Sequence, residues 1–506
     1  MAAPSKNVFA LCCCIVIVFL QCHARPPNIV FVLTDDQDVV IGGQTPIQKI
    51  TKLIGEKGII FNNMFVSSPL CCPSRSSILT GKFVHNHGAL NNSVAGNCSS
   101  QQWQKQEEGG AFPVYLKKQG YTSFFAGKYL NQYGFPKTGG VKHIPPGWDW
   151  WVGLVGNSRY YGYSLSVNGT EEVHKHDYRT DYLTDIIHRR AMDFLRIQHS
   201  GSAPFFMMMS TPACHGPFTP APQYSQNFSD RSAPRNGSFN MHGKDKHWLI
   251  ENALTPIPEK IIQNIDDIFR NRWRTLLSVE DMVEDVVNTL DKKGLLDNTY
   301  IFFSSDNGYH LGQFSLPMDK RQLYEFDIRV PLMVRGPGIR PGQFRQDPVM
   351  NIDLAPTFIE LSGSTVPGTV DGLSFVQILL SAPSTVPPPP FRTKFLVEHT
   401  GEYSYAVAGC PQYTGQFMGN CDSYCTCEDS RNNTFACVIE LTDSQHYKYC
   451  KMQDSVNFVE MYDLERDPDE FMNLHKSADA SLLSRLSQEL QALTDCQGKM
   501  CRQLQQ

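Results

Sequence analysis

Four stretches of the chain repeat one pattern, a short and almost uninterrupted apolar run that ends in a polar cluster. Asn28 to Leu33 leads into Thr34-Asp35-Asp36-Gln37, and Thr122 to Ala126 leads into Gly127-Lys128-Tyr129. Phe205 to Met209 leads into Thr211-Pro212-Ala213-Cys214-His215, and Tyr300 to Phe303 into Ser304-Ser305-Asp306-Asn307-Gly308. Runs without polar alternation predict strands buried on both faces of a sheet. Leu183, Ile186, Ile187, Ala191, Phe194 and Leu195 keep helical spacing, as do Leu276, Val279, Val283, Val286, Val287 and Leu290 ahead of Gly294. Alternating strands and helices predict an α/β fold, a large mixed, mostly parallel sheet flanked by helices. Ligands of such sheets sit beyond the carboxyl ends of the strands, so the four polar clusters are expected on one rim.

The pattern changes at Ser381 to Pro390, where four consecutive prolines favour extended backbone and interrupt any helix or central strand. We read a catalytic-sized domain over 25–385 and a smaller, cysteine-rich α+β domain over 391–506. The second contains strand-like Phe395-Leu396-Val397 and Tyr405-Ala406-Val407. It ends in a helix marked by Leu482, Leu483, Leu486, Leu490 and Leu493. No internal repeat is visible.

Residues 1–24 read as a secretory signal peptide. Lys6 precedes an apolar core from Val8 to Leu20, and Cys22-His23-Ala24 ends in a small residue suited to cleavage. The core is shorter than a bilayer span, and no later segment approaches that length without charges, so no membrane span is expected. Of the 16 cysteines, Cys12, Cys13, Cys14 and Cys22 leave with the leader, and secretory entry makes the remaining 12 interpretable as a disulfide framework. Cys410, Cys421, Cys425, Cys427, Cys437, Cys450, Cys496 and Cys501 crowd the C-terminal end, with a pairing that spacing cannot supply. Cys421-x3-Cys425-x-Cys427 also suits zinc, but no ordered second Cys/His pair follows. The sequons at Asn91, Asn97, Asn168, Asn227, Asn236 and Asn432 agree with luminal synthesis as a glycoprotein. A net charge of −5 and a pI near 6.3 argue against a nucleic-acid partner.

The tandem acids Asp35-Asp36 and the pair Asp306-Asn307 end two of the apolar runs. Adjacent carboxylates repel, so such pairing makes best sense around a divalent cation, and oxygen-only ligation points to Ca²⁺ or Mg²⁺ rather than zinc. Cys71-Cys72-Pro73-Ser74-Arg75-Ser76-Ser77-Ile78-Leu79-Thr80-Gly81 matches C-x-P-S-R-x-x-x-L-T-G at every specified position. That segment resembles the signature of the sulfatase family, and Lys246-His247-Trp248-Leu249 and Lys320 through Asp327 extend the similarity over nearly all the mature chain.

The resemblance implies an alkaline-phosphatase-like sulfatase fold. It also implies oxidation of Cys71 to formylglycine (3-oxoalanine) by the formylglycine-generating enzyme in the endoplasmic reticulum. One Ca²⁺ would be held by Asp35, Asp36, Asp306 and Asn307 with an oxygen from residue 71. Arg75 would steady the hydrate of that aldehyde, Lys128 and Lys320 would bind sulfate, and His215 would protonate the leaving group. The chain departs from the family at Leu130, where the G-K-W-H motif has histidine; Asn131 is a candidate substitute. Among the less specific histidines His85, His87, His242, His247 and His310, only His310 is taken as substrate-binding.

The implied activity is a lysosomal exo-sulfatase. It would remove the 6-O-sulfate of terminal N-acetylglucosamine from sulfated glycosaminoglycan oligosaccharides of heparan and keratan sulfate, with a secreted fraction allowed. Two alternatives stand beside it. Extracellular heparan 6-O-endosulfatases share Gly-Lys-Tyr-Leu-Asn but carry a long basic insert that this chain lacks. A glycan-binding glycoprotein without catalysis would keep Cys71 as a thiol. Oligomeric state, a homodimer included, is left open.

Overall fold

The four apolar runs fold as neighbouring strands at the centre of one sheet. A computed structural model describes residues 25–235, 237–381, 390–402, 428–442 and 445–506. The leader 1–24, the prolines of 382–389, Asn236, the Tyr405 to Val407 strand, Cys410, Cys421, Cys425 and Cys427 lie outside the described residues. In chain order the strands are β1 (Asn28–Thr34), β2 (Ile59–Phe61), β3 (Met64–Phe65), β4 (Thr122–Gly127), β5 (Trp150–Leu154), β6 (Ser164–Val167), β7 (Thr170–Val173) and β8 (Phe205–Ser210). There follow β9 (Thr299–Ser305), β10 (Leu332–Arg335), β11 (Gln343–Arg345), β12 (Val349–Met350), β13 (Lys394–His399), β14 (Phe435–Leu441), β15 (His446–Met452) and β16 (Val459–Asp463).

The main sheet runs β11-β2-β10-β9-β1-β8-β4-β5-β6-β7. β9, β1, β8, β4 and β5 are mutually parallel, and antiparallel pairs flank them on both sides. Apart from half-buried Thr122 at the start of β4, each central run is buried along its full length, which explains the missing alternation. Successive side chains still point to opposite faces. Ile29, Phe31 and Leu33 enter one apolar core, while Val30 and Val32 enter the other. The second core is closed by the two helices read from the sequence, Leu183–Arg196 and Glu259–Lys292, the latter starting well before its Leu276 stripe. On the first face, Phe358 of the helix Leu354–Leu361 packs in tilted and edge-to-face contact against Phe31, Phe112, Phe206 and Phe302, with ring centroids 5.0–5.5 Å apart.

Strands β13 to β16 form a separate antiparallel sheet, β13-β14-β15-β16, packed with the helix Ala480–Thr494 on the same first core. Within it Cys437 and Cys450 are cross-strand partners and are disulfide-bonded; Cys72–Cys98 and Cys496–Cys501 are the other bridges among the described residues. Of the described sequons, Asn168 and Asn227 are exposed, Asn97 is half-buried, and Asn91 and Asn432 are buried. No described helix is long and apolar enough to cross a membrane.

Arg392, just before β13, reaches back to Asp353 with both terminal guanidinium nitrogens, at 2.6 and 2.7 Å, and neither residue is exposed. Removing one partner of such a pair strands a buried charge, so Arg392→Met is expected to lower the unfolding free energy in urea by about 3–5 kcal/mol. A loss below about 1 kcal/mol would show that dehydration already cancels the attraction.

Candidate active site

Strand register brings the four polar clusters together. Leu33 pairs with Ser210, Thr34 with Ser305, and Gly127 with Ser210, so the parallel strands stop at one level. The ladders then run on into the loops: Asp306 N donates to Thr34 O, Asp35 N to Ala213 O, and Cys214 N to Asp35 O. Gly127 is required at its place. At φ 112° a side-chain carbon there would sit 1.8 Å from Ser210 O, and Lys128 N donates to that same carbonyl.

Cys71 opens the helix Cys71–Thr80, and Pro73 lies in its first turn, where a missing amide hydrogen costs no intrahelical bond. Arg75 lies one turn on, on the same face. Its Nε donates to Asp306 Oδ2 at 2.7 Å, and its Nη1 to Lys128 O and Ser210 Oγ at 2.8 and 2.7 Å. Cys71 Sγ lies 3.7 Å from Asp35 Oδ1 and 3.9 Å from Asp36 Oδ1. Lys128 Nζ reaches Asp35 Oδ2 and Lys320 Nζ reaches Asp36 Oδ2, each at 2.7 Å. His215 Nε2 is 3.9 Å from Asp36 Oδ2, and its 17% exposed side chain is the most open of the group.

The electrostatics follow from dry charges in contact. Burial pushes Asp35 and Asp36 up, but the cations facing them, led by Lys128 and Lys320 respectively, outweigh it and hold both below the usual carboxylate range. Asp306 is answered chiefly by Arg75, with a weaker pull from Lys128. Burial, with Asp35 and Asp36 adding to it, lifts Asp306 to about 6. The Cys71 thiol is pushed up to about 12 by burial, against the pull of the two lysines. An unmodified Cys71 therefore stays a protonated thiol, a poor nucleophile. Burial and then Lys320 lower His215 below its ordinary 6.5, against Asp36 and Asp35.

A family model described as Sulfatase matches residues 27–364, more than half of the chain. The chain belongs to the sulfatase family. It is 50% identical over 482 residues to the N-acetylglucosamine-6-sulfatase of Capra hircus, spanning 95% of this chain and 85% of that protein. The human N-acetylglucosamine-6-sulfatase is 48% identical over 503 residues, 99% and 90% of the two chains. Among solved structures, BT4656 in complex with its substrate D-glucosamine-2-N,6-O-disulfate superposes with a TM-score of 0.75 at 24% identity, over 95% and 99% of the chains, a likeness of fold. The chain is thus a sulfuric ester hydrolase.

The sulfatase site fits a hard cation. One ligand atom each from Asp35, Asp36, Cys71 and His215 lies within 4.8 Å of the others. Asp306 adjoins this group, its Oδ1 accepting the amides of Asp36 and Asn307. Asn307 Oδ1 is buried without a hydrogen-bond donor among the described residues, an oxygen left open for a ligand. Its Nδ2 is occupied, donating to Asp36 Oδ1 at 2.8 Å. Carboxylate and amide oxygens are the donors that calcium and magnesium take.

The other expected residues go elsewhere. His310 is fully buried, its Nδ1 3.0 Å from Asp327 and its Nε2 3.3 Å from Glu428, and these acids raise it to about 10 although burial opposes them. It is held as an imidazolium between two acids. Leu130 joins the apolar core. Asn131 donates to Asn157 Oδ1 at 3.2 Å. His85 binds Glu398 and Cys496 O, while His247 pairs with Asp454.

Two contributors escaped the sequence reading. Ser158, in the loop after β5, donates its hydroxyl to Asp35 Oδ2, the oxygen that Lys128 also holds. Arg272, midway along Glu259–Lys292, donates to Asp36 O and Asp38 Oδ1 at 2.7 Å each and lies 4.1 Å over the Tyr309 ring. It braces the left-handed turn at Asp36, where φ is 63°. A serine in a loop and an arginine in a helix carry no distinguishing local pattern.

A divalent cation is expected to stabilise this fold. At 100 times its dissociation constant the gain is about 2.7 kcal/mol. Thermal unfolding in graded Ca²⁺ and Mg²⁺ measures it, and Asn307→Ala should abolish most of the shift. An unchanged melting temperature with both ions would refute the site.

Proposed function

We propose that this chain is an exo-acting N-acetylglucosamine-6-sulfatase that works in the lysosome. It would remove the 6-O-sulfate of terminal N-acetylglucosamine 6-sulfate in heparan and keratan sulfate fragments. Cys71 is its formylglycine residue and Ca²⁺ its metal. The organisation that goes with this reading is a leader over 1–24, a catalytic domain over 25–385 and a smaller C-terminal domain over 391–506. One observation carries it: the residue that the signature marks for oxidation sits at a helix start, against two carboxylates each clasped by a lysine. Relatives at about half identity are N-acetylglucosamine-6-sulfatases. The substrate bound by BT4656 likewise carries a 6-O-sulfate.

In this site Cys71 Sγ stands for an oxygen of the hydrated aldehyde. That hydrate supplies two hydroxyls, one to attack sulfur and one whose proton loss expels sulfate and restores the aldehyde. Asp35, Asp36, Asp306 and Asn307 would hold the cation, whose positive charge would acidify the hydrate and offset that of the sulfate oxygens. Lys128 and Lys320 bring two ammonium groups to the same place, where a sulfate ester can exchange their carboxylate contacts for its own oxygens. Arg75 keeps Asp306 and the end of β4 fixed relative to the helix start, so the nucleophile need not be reoriented. His215 lies on the open side and can protonate the departing sugar oxygen, a poor leaving group as an alkoxide. Its imidazole must be cationic for this, and its lowered pKa confines the cation to acid solution, as in a lysosome.

Mass spectrometry of active protein should find the peptide containing Cys71 lighter than its thiol form, as the aldehyde. Cys71→Ser should leave the fold intact and lower turnover at least about a thousandfold, since one hydroxyl lacks the release step. Fully active protein with an intact Cys71 thiol would refute the mechanism.

The substrate reading is tested with two oligosaccharides, one carrying the 6-O-sulfated N-acetylglucosamine at the non-reducing end and one carrying it internally. The terminal sulfate should be removed at least tenfold faster, at a rate that falls as pH rises through the acid range. Because His215 is shifted downward, the midpoint of that fall should lie below 6.5 in free enzyme. His215→Gln should flatten the profile for the sugar but cost far less with an aryl sulfate, whose phenolate leaves without a proton. Equal rates on both oligosaccharides, or an optimum above neutrality, would favour an endosulfatase.

A further inference from the structure

We infer that the C-terminal sheet is part of the catalytic apparatus: it is the template that holds the Lys320 segment in an unfavourable backbone shape, with Lys448 and Tyr324 as positioning residues. This inference rests on the reading of Lys320 as a sulfate-binding residue.

Lys320 sits between Asp319 at φ 147° and Arg321 at φ 91°, left-handed backbone at two residues that are not glycine. Such conformations persist only where the surroundings over-determine them. A backbone bridge to His310 holds Asp319, and the Arg321 amide donates to Pro69 O, but the side chains that grip Arg321 to Glu325 come mostly from beyond residue 390. Arg321 pairs with Glu402, after β13, and with Asp429, before β14, at 2.7 and 2.8 Å, and its carbonyl accepts from Asn433. Gln322 Nε2 donates to Glu428 at 2.9 Å, and the Tyr324 hydroxyl to Glu460 of β16 at 2.9 Å. Lys448 of β15 donates to Leu323 O, Glu325 Oε1 and Glu470 Oε1 at 3.2, 2.9 and 2.6 Å; Glu470 Oε2 in turn accepts the amide of Glu325. From Arg321 to Glu325, every residue is thus gripped by a polar side chain of the C-terminal region. Lys320 alone points the other way, to Asp36.

This is a costly way to dock two layers. Lys448, Glu428, Glu460 and Glu470 are no more than 1% exposed, and apolar side chains would bury the same surface without dehydrating charge. Directional contacts offer what apolar packing does not, a fixed backbone path for a short segment. The segment ends at an ammonium group that must meet a sulfate oxygen to within a fraction of an ångström.

The test uses the full chain and inorganic sulfate as a competitive inhibitor. Lys448→Met should raise the sulfate inhibition constant and KM at least fivefold, with kcat within threefold. Tyr324→Phe, which removes one hydrogen bond and no buried charge, should raise both two- to threefold even if Lys448→Met does not fold. In a Lys320→Met background each change should add less than 1.5-fold, because the group it positions is gone. Variants that lower the melting temperature but leave sulfate inhibition as in wild type, or whose effects multiply in full with Lys320→Met, would overturn the inference while the sulfatase reading stands. A Lys320→Met protein with undiminished sulfate affinity would overturn both the inference and the reading of Lys320 as a sulfate-binding residue.

Discussion

Three carboxylates held in a dry rim are the constraint on which the rest depends. Asp35, Asp36 and Asp306 are at most 1% exposed and stand at the ends of two paired strands. Unpaired, such charges would drive the chain apart or take up protons. Each is answered by a cation from a different part of the chain: Lys128 from the end of β4, Lys320 from the loop after β9, Arg75 from the helix at Cys71. The site is therefore also a knot of the fold. Removing any one charge disturbs several elements as well as the chemistry.

On the proposed reading, that arrangement lets the protein keep a sulfate site without bound sulfate. The lysines are not idle in the free protein, since the carboxylates occupy them. An incoming anion would compete for the lysines, and a cation for the carboxylates. Binding of the two partners would then be mutually favourable, since each would release what the other needs. Arg272 and Ser158 add to this by fixing the carbonyl of Asp36 and one oxygen of Asp35, so the carboxylates cannot simply turn away when their partners change.

Much of this was legible in the linear pattern. The apolar runs mark the buried strands because a strand covered on both faces has no reason to alternate. The polar residue after each run lands on the active rim because parallel strands in register end at the same level. Asp35, Asp36, Asp306 and Asn307 were singled out for that reason, and Cys71, Arg75, Lys128, His215 and Lys320 by their resemblance to family motifs. His310 shows the limit. Following Asp306-Asn307-Gly308-Tyr309, it invites a role in the pocket, yet Asp327 and Glu428, the second more than a hundred residues away, turn it into a buried imidazolium. Ser158, Arg272 and Lys448 were not legible at all, since their importance lies in what they touch.

The sequence by itself determined the α/β class, the rim on which the chemistry sits and the sulfatase signature. Those are consequences of local periodicity and of residue types at short spacing, which act before any distant contact forms. The tertiary structure decided how the charges pair, which histidine faces the open side, that Cys437 bonds Cys450 across adjacent strands, and that the second sheet reaches the Lys320 segment. The physical reason is range. Periodicity is set by the geometry of one helix or strand, whereas the energy of a buried charge depends on everything within a few ångströms, and in this protein those neighbours come from residues up to some three hundred positions apart.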